Sequence, residues 1–173
     1  MEVDELVRYI RSIPDFPVKG VLFRDITPLL KDRDAFKTAV SGLADNFRDC
    51  NVDLVSAVEA RGFIIGAPLA IELSAGFVPI RKPGKLPYDS IREEYSLEYG
   101  TNVLEMHRDA IKPGEKVLIA DDLIATGGTA IACKNLIERS GGIVVGFVFL
   151  VELTEFNARE QLKGYDVYSL LKF

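Results

Sequence analysis

The sequence predicts an α/β domain with a mainly parallel central sheet flanked by helices. Two wholly apolar runs, residues 117–120 and 143–150, are typical of strands buried on both faces, as in parallel sheets. Between such runs lie segments with apolar residues at helical spacing, as in 34–47. The 173 residues suit one domain, and no repeat or linker divides them. We therefore expect a single domain over residues 1–173.

The elements follow from the pattern in chain order. A short helix is predicted over 4–13, after which Pro14 and Pro17 impose an extended segment. Further helices are predicted where apolar residues recur at helical spacing, over 34–47, 63–73 and 129–140. Buried strands are predicted at the short apolar runs, 52–58, 77–80, 117–120, 143–150 and 167–171.

A polar stretch over 81–94, with two prolines and one glycine, is long for a connection between elements. A connection of this length is either an active-site lid or disordered, and the structured segments on both sides favour a lid. A hairpin is predicted after it, with strands 95–99 and 103–107. We therefore expect 81–107 to form a lid with a hairpin, in which the carboxylates of Glu93, Glu94 and Glu105 are solvated.

Composition excludes several classes of function. With 21 basic and 26 acidic residues the net charge is −5, which argues against general affinity for nucleic acid or an anionic membrane. The single histidine, His107, excludes His-rich zinc sites, and Cys50 and Cys133 form no CxxC pair. The acidic residues 1–5 are unlike a signal peptide, and no apolar run reaches the ~20 residues of a membrane span. We expect a reduced, cytoplasmic protein.

The most informative segment is 117–129, which reads VLIADDLIATGGT. In open α/β sheets ligands bind where strands end, and this segment combines a strand end with a helix start. Gly127 and Gly128 allow a tight turn, while Thr126 and Thr129 offer hydroxyls beside the free N–H groups of the helix. No GxxxxGK[ST] or GxGxxG pattern is present. The segment therefore predicts a phosphate site that is neither a P-loop nor a dinucleotide fingerprint.

Two adjacent carboxylates, Asp121 and Asp122, precede this loop. Carboxylates repel a phosphate unless they face another group, such as sugar hydroxyls or a metal ion. A phosphate on the loop amides with ribose hydroxyls on the two aspartates satisfies both requirements. The alternative is an ordinary strand–turn–helix connection with a threonine cap and solvated aspartates.

Residues 117–129 resemble the phosphoribosyl-pyrophosphate (PRPP) signature of the type I phosphoribosyltransferases. Four other stretches are similar, more narrowly, to the adenine-specific members of that family, and the resemblance runs nearly end to end: 16–30 (FPVKGVLFRDITPLL), 59–63 (EARGF), 81–87 (RKPGKLP) and 95–100 (YSLEYG). It implies the type I phosphoribosyltransferase fold, with a small N-terminal base-binding hood over 1–33 and a flexible hairpin lid over 81–107. The implied reaction converts adenine and PRPP to AMP and pyrophosphate, in purine salvage.

The resemblance also assigns residues to PRPP. The ribose hydroxyls are assigned to Asp121 and Asp122. The 5-phosphate is assigned to the loop residues Ala125, Thr126, Gly127, Gly128 and Thr129. Pyrophosphate is assigned to Arg61, assisted by Arg81 and Lys85, and Tyr99 is expected to close over the site or contact phosphate. Mg²⁺ is implied as the companion of PRPP, with few direct protein ligands.

Adenine is assigned to a short set of residues: Leu22, Phe23, Arg24 and Ile124. Phe23 is expected to stack on the base, while the backbone of its neighbours reads the base edge; alternatively it is a core aromatic. The resemblance further implies a homodimer and a non-proline cis peptide bond between Glu59 and Ala60.

Glu98 is the predicted catalytic acid/base. The transition state is expected to resemble an oxocarbenium ion at the ribose C1 atom, and a carboxyl on the hairpin could exchange a proton with purine N7. The catalytic glutamate proposed for the family falls at this position. The alternative is a solvent-facing strand residue.

Ala125 separates the possible relatives. Hypoxanthine–guanine enzymes of the family carry an aspartate at this position, and xanthine enzymes of the bacterial type have a different loop, so the sequence favours adenine. A 6-oxopurine phosphoribosyltransferase is the alternative among enzymes. A non-catalytic PRPP or nucleotide sensor is the alternative from another class, against which Arg61 and Glu98 argue.

Overall fold

The computed structural model describes residues 1–97 and 100–173. The described strands are β1 (Arg11–Pro14), β2 (Leu22–Asp25), β3 (Leu54–Val58), β4 (Gly76–Ile80), β5 (Ser90–Leu97), β6 (Gly100–His107), β7 (Lys116–Ile124), β8 (Ile143–Glu152) and β9 (Val167–Lys172). The described α-helices are α1 (Thr27–Lys31), α2 (Arg33–Asp45), α3 (Arg61–Glu72) and α4 (Gly128–Arg139). Short 3₁₀ helices occupy Val3–Tyr9, Arg48–Cys50, Thr154–Phe156 and Ala158–Glu160.

The central sheet has the order β4-β3-β7-β8-β9, and every pair in it is parallel. Successive side chains of a strand face opposite sides, so β7 contributes to two cores. Leu118 and Ala120 pack with α2 and α3 on one side of the sheet. Val117 and Ile119 pack with α4 on the other. The predicted α/β architecture with a parallel sheet flanked by helices is confirmed.

Several strands extend beyond the residues predicted for them. The strand predicted over 117–120 continues to Ile124, so Asp121 and Asp122 belong to β7 and not to the loop after it. The first hairpin strand begins at Ser90, which shortens the polar connection predicted over 81–94. Pairing with a neighbouring strand extends each of these segments past its apolar residues.

The helix predicted over 4–13 is wrong in its second half. A 3₁₀ helix ends at Tyr9, and Arg11–Pro14 forms β1, which pairs antiparallel with β2. A ladder to residues eight to fourteen positions away outweighs the weak local helical pattern. Asp25 at the end of β2 accepts hydrogen bonds from the Thr27 backbone N–H (2.9 Å) and hydroxyl (2.8 Å), which starts α1. This ribbon and α1 form the N-terminal part of the molecule.

The hairpin of β5 and β6 pairs antiparallel, from Ser90 with His107 to Leu97 with Gly100. A backbone bridge between Arg81 and Glu105 joins it to the end of β4. Leu104 and Met106 of β6 are fully buried in the core shared with α4. The hairpin is therefore packed against the sheet end in this structure.

Candidate active site at the carboxyl ends of the strands

The carboxyl ends of β3, β4 and β7 lie at one edge of the sheet, because these strands are parallel neighbours. The segments that follow them carry most residues predicted to bind PRPP. The turn after β3 leads into α3 at Arg61 and contains the Glu59–Ala60 peptide bond, which is cis as predicted. Beside this edge lie two cavities of about 250 and 260 Å³.

The predicted phosphate loop forms a turn between β7 and α4. Gly127 has φ of +92°, in the left-handed region that glycine adopts without strain, and it is the N-cap of α4. A Cβ atom there would also lie 3.4 Å from the Ala158 Cβ. The N-cap residue, Gly127, has no side chain that could cap this twelve-residue helix. Its first N–H groups can therefore bind an anion, with the positive end of the helix dipole behind them. The larger share of the 250 Å³ cavity's lining comes from residues 123–130.

Asp121 and Asp122 are held against the start of α3. The Asp122 backbone N–H donates to Asp121 Oδ1 (2.9 Å). A Cβ atom at Gly62 would lie 2.6 Å from the same oxygen, so only glycine fits there. Burial and the neighbouring carboxylate raise the pKa of Asp121 well above 3.8. Burial also raises the pKa of Asp122, against the lowering effect of Arg61. This pair therefore lies in a site where negative charge is costly until a ligand satisfies it.

Arg61 joins three predicted subsites. Its Nε lies 2.9 Å from Asp122 Oδ2, and its guanidinium carbon is 5.3 Å from the centre of the Phe23 ring. The residues predicted to bind pyrophosphate, ribose and adenine thus lie side by side. Phe23 is half-buried and meets Phe16 edge-on at 5.1 Å between ring centres.

The two other predicted pyrophosphate cations are directed at Glu59. Its buried carboxylate is 3.0 Å from Lys85 Nζ and 3.5 Å from Arg81 Nε, and it accepts a 2.6 Å hydrogen bond from the Lys82 backbone N–H. Burial acts to raise the pKa of Glu59, but these donors and charges outweigh it and lower that pKa. Lys82, which the sequence analysis did not assign, lines the 260 Å³ cavity with Arg61, Asp121 and Asp122. Its position between Arg81 and Lys85, in the basic run 81–85, is the sequence feature that could have indicated this.

The remaining residues predicted for adenine lie in different places. Leu22 is largely exposed. The Arg24 side chain donates to Ser12 Oγ (2.6 Å) and lies over the Phe173 ring at 4.2 Å, so its guanidinium has partners of its own. Ile124 is buried beneath the turn between β7 and α4 and lines the 250 Å³ cavity. Among the described residues that line this cavity, Phe23 is absent.

Glu98 and Tyr99 lie outside the described residues. Of the three carboxylates expected to be solvated, Glu94 is exposed, but the expectation was wrong for the other two. Glu105 is only 2% exposed and accepts from the Gly84 backbone N–H (3.0 Å), beside Arg92 at 2.6 Å. Glu93 accepts from Asn135 and Arg139. Packing of the hairpin against β4 and α4 buries these side chains, which local sequence does not reveal.

Neither a metal cluster nor a membrane helix is found in the described ranges. Across residues 1–97 and 100–173, no group of three or more His, Cys, Asp or Glu side chains could hold a metal ion together. Within the same ranges, every helix is too short or too polar to cross a membrane.

Comparison with known proteins places these features in a family. A family model described as a phosphoribosyl transferase domain matches residues 29–172. An adenine phosphoribosyltransferase of Halothermothrix orenii is 55% identical over 97% of this chain and 99% of its own length. That of Thermotoga maritima is 56% identical over 98% of each chain.

Solved structures agree. A crystal structure of adenine phosphoribosyltransferase from Thermoanaerobacter pseudethanolicus superposes with a TM-score of 0.97 at 53% identity, over 99% of this chain and 100% of that one. The Saccharomyces cerevisiae enzyme, in complex with adenine and an imino-altritol bisphosphate, gives a TM-score of 0.92 at 35% identity, over 98% of both chains. Sequence, fold and site geometry agree: the chain belongs to the adenine phosphoribosyltransferases, within the phosphoribosyltransferase family.

Proposed function

We propose that this enzyme transfers the 5-phosphoribosyl group of PRPP to adenine, giving AMP and pyrophosphate. The observation that carries the proposal is the continuous order of groups along β7 and α4. Paired carboxylates lie near the end of the strand, a glycine turn with positive φ follows, and the N–H groups of the first turn of α4 complete the loop. This order provides for a ribose and its 5-phosphate at once.

In the proposed reaction, the bond from ribose C1 to the pyrophosphate oxygen breaks and a bond from C1 to adenine N9 forms. Pyrophosphate leaves with the bonding electrons, and adenine gives up one ring proton, which the predicted acid/base Glu98 accepts. The amides and hydroxyls of residues 125–129 hold the 5-phosphate. Asp121 and Asp122 accept hydrogen bonds from the ribose hydroxyls, which gives their buried carboxylates donors. Fixing the ribose at two ends places C1 between leaving group and base, so orientation contributes to the rate.

The pyrophosphate faces Arg61 in this proposal, and the guanidinium fork suits its oxygens. Lys82, Arg81 and Lys85 supply further positive charge beside it, with Glu59 holding the last two in place. Asp122 Oδ2 is buried, and within the described residues no donor is aligned to hydrogen-bond it, so the site fits a cation or hydroxyl brought by the substrate. Mg²⁺ would offset the pyrophosphate charge, held mainly by PRPP oxygens with the two aspartates nearby.

Adenine stacks on Phe23 in the proposal, with the backbone of Leu22 and Arg24 at its edge and Ile124 below the loop. Ala125 carries no carboxylate for an N7–H group, which favours adenine over 6-oxopurines. The yeast relative named above holds adenine, and that of Giardia lamblia was solved with 9-deazaadenine. Glu98 stays the predicted proton-exchanging group and Tyr99 the residue that closes on the site.

The proposal extends to the organisation of the protein. We place the base-binding hood at 1–33, the lid at 81–107 and the enzyme in the cytoplasm, where its free thiols Cys50 and Cys133 stay reduced. A homodimer is supported by the outer face of α3, where Ile64 and Ile71, seven residues apart, are 43% and 81% exposed. Ile71→Glu should shift the protein from dimer to monomer in size-exclusion chromatography with light scattering.

The test of function is PRPP-dependent pyrophosphate release with adenine, hypoxanthine, guanine and xanthine, each with and without Mg²⁺. We expect turnover with adenine alone, and only with Mg²⁺ present. Turnover with an oxopurine would contradict the roles of Ala125 and Phe23 but keep the PRPP site. PRPP binding without turnover on any base would support the sensor alternative instead.

A further inference from the structure

A tyrosine of the hairpin contacts the phosphate loop directly. The Tyr95 hydroxyl lies 3.2 Å from the hydroxyl of Thr129, the second residue of α4. Tyr95 is half-buried on β5 and, together with Thr129, lines the cavity that contains Arg61 and Asp121. A side chain of the hairpin therefore shares a hydroxyl that the proposed function gives to the 5-phosphate.

A second anchor lies two residues earlier on the same face of β5. The Glu93 carboxylate accepts from Asn135 Nδ2 (2.7 Å) and Arg139 Nη1 (2.6 Å). Arg139 Nη2 also donates to the Arg92 carbonyl (2.6 Å). Asn135 and Arg139 are four residues apart, on one face of the helix. One edge of the hairpin thus follows α4 from its first turn to its last.

The two anchors differ in kind. The Glu93 anchor uses charge and side chains remote from the loop, so it holds the hairpin whether or not a ligand is bound. The Tyr95 anchor uses a hydroxyl pair in which either oxygen can be the donor. A hydroxyl has one proton and two lone pairs. If Thr129 donates its proton to a phosphate oxygen, its own oxygen can only accept a hydrogen bond from Tyr95. A bound phosphate therefore fixes Tyr95 as the donor to Thr129.

We propose that Tyr95 is a positioning residue. Through its hydrogen bond with Thr129, it couples ligand binding at the phosphate loop to the position of the hairpin against α4. This inference rests on the proposed function, because it takes the loop ligand to be the 5-phosphate. Tyr95 precedes the predicted acid/base Glu98 by three residues, so the coupling acts on the segment that carries the predicted proton transfer.

The first test is a double-mutant cycle with Tyr95→Phe and Thr129→Ala, measured as kcat and KM with adenine and PRPP. Tyr95→Phe removes only the hydroxyl, and we expect kcat to fall about three- to tenfold, the effect of one hydrogen bond, with a smaller change in the KM for adenine. In the Thr129→Ala background the same change should have no further effect. Tyr165→Phe is the matched control, since its hydroxyl donates to Glu138 (2.6 Å) elsewhere on α4; its kcat should match the wild type.

The second test needs no turnover. Hydrogen exchange of backbone amides in 90–97 is followed with and without ribose 5-phosphate, a ligand with the phosphate but no leaving group. We expect the ligand to slow exchange in the wild type and in Tyr165→Phe, but not in Tyr95→Phe.

Equal effects of Tyr95→Phe in both Thr129 backgrounds, or ligand protection that survives in Tyr95→Phe, would overturn the coupling. Coupled exchange in a wild type that turns over no base would leave the inference standing while the proposed function failed.

Discussion

Arg61 and Asp122 form an ion pair, 2.9 Å between Nε and Oδ2, in which the arginine side chain is 43% exposed and the aspartate 7%. The pair joins the start of α3 to the end of β7 and lies against the Phe23 ring. A cation with nearly half of its surface exposed can exchange its partner for a ligand anion. The buried carboxylate would then need a new cation or hydrogen-bond donor in place of the arginine. The arrangement suits a substrate that brings both an anion for Arg61 and donors for Asp122.

Arg61→Ala should weaken PRPP binding by about tenfold or more, because a charge-assisted contact to pyrophosphate is lost. AMP lacks pyrophosphate, so its affinity should change much less. Calorimetric titration with both ligands measures the difference. Arg33→Ala is the control: among the described residues Arg33 pairs with the exposed Asp34 alone, so its loss should leave both affinities unchanged. Equal losses for PRPP and AMP would mean that Arg61 does not face the pyrophosphate.

Asp121→Asn should stabilise the ligand-free protein, and more so as the pH rises from 4 to 8. Burial raises the pKa of Asp121 above 3.8, so the folded state holds this proton more tightly than the unfolded chain does. That contribution to stability is present at low pH and is lost as the pH rises through the raised pKa. The stability gain should therefore be larger at pH 8, where the wild-type carboxyl is ionised at a cost to the folded state, than at pH 4.

Thermal denaturation of Asp121→Asn and wild type across this pH range is the measurement. Asp109→Asn, an exposed position, serves as the control and should show no growing advantage. An Asp121→Asn advantage that shrinks with rising pH would contradict the raised pKa.

Gly127→Ala should reduce both stability and phosphate binding. The φ of +92° costs an L-residue about 1–2 kcal/mol, and the new methyl group would contact Ala158, 3.4 Å away, at the turn itself. Gly164→Ala is the matched control, because its φ is +96° with no atom within 4 Å of the added Cβ. Both variants should lose similar stability in urea unfolding, but only Gly127→Ala should raise the KM for PRPP. A normal KM in Gly127→Ala would remove this turn from the phosphate site.

Phe23→Ala should raise the KM for adenine by about tenfold, since base–aromatic stacking contributes about 1–3 kcal/mol. The KM for PRPP should stay within about twofold, because the ring meets Phe16 and the guanidinium of Arg61, whereas the 5-phosphate is assigned to residues 125–129. Steady-state kinetics with each substrate varied in turn measures both. Phe156→Ala, at another partly exposed phenylalanine, should change neither. A larger effect on PRPP than on adenine would make Phe23 a support for Arg61 and not a base platform.

Local sequence was sufficient to predict the features of this molecule that depend on residues within a single segment. The parallel strands are short and apolar because both faces are covered, and this shows in 117–120 and 143–150 without knowledge of their neighbours. The predicted phosphate loop also depends only on neighbouring residues, because its glycine turn and the start of its helix are adjacent in the chain. Both could therefore be predicted from residues alone.

Tertiary structure decided the features that depend on residues far apart in the chain. β1 is a strand because β2 pairs with it, and Glu105 is buried because β6 packs at the end of β4. Arg81 and Lys85 meet Glu59 more than twenty positions away, and Tyr95 meets Thr129 thirty-four positions away. A charged or hydroxyl side chain has many possible partners of similar energy, and only the packed fold selects one. The sequence by itself thus determined the sheet and the glycine turn after β7, while the fold decided which side chains line the cavities and which pair with one another.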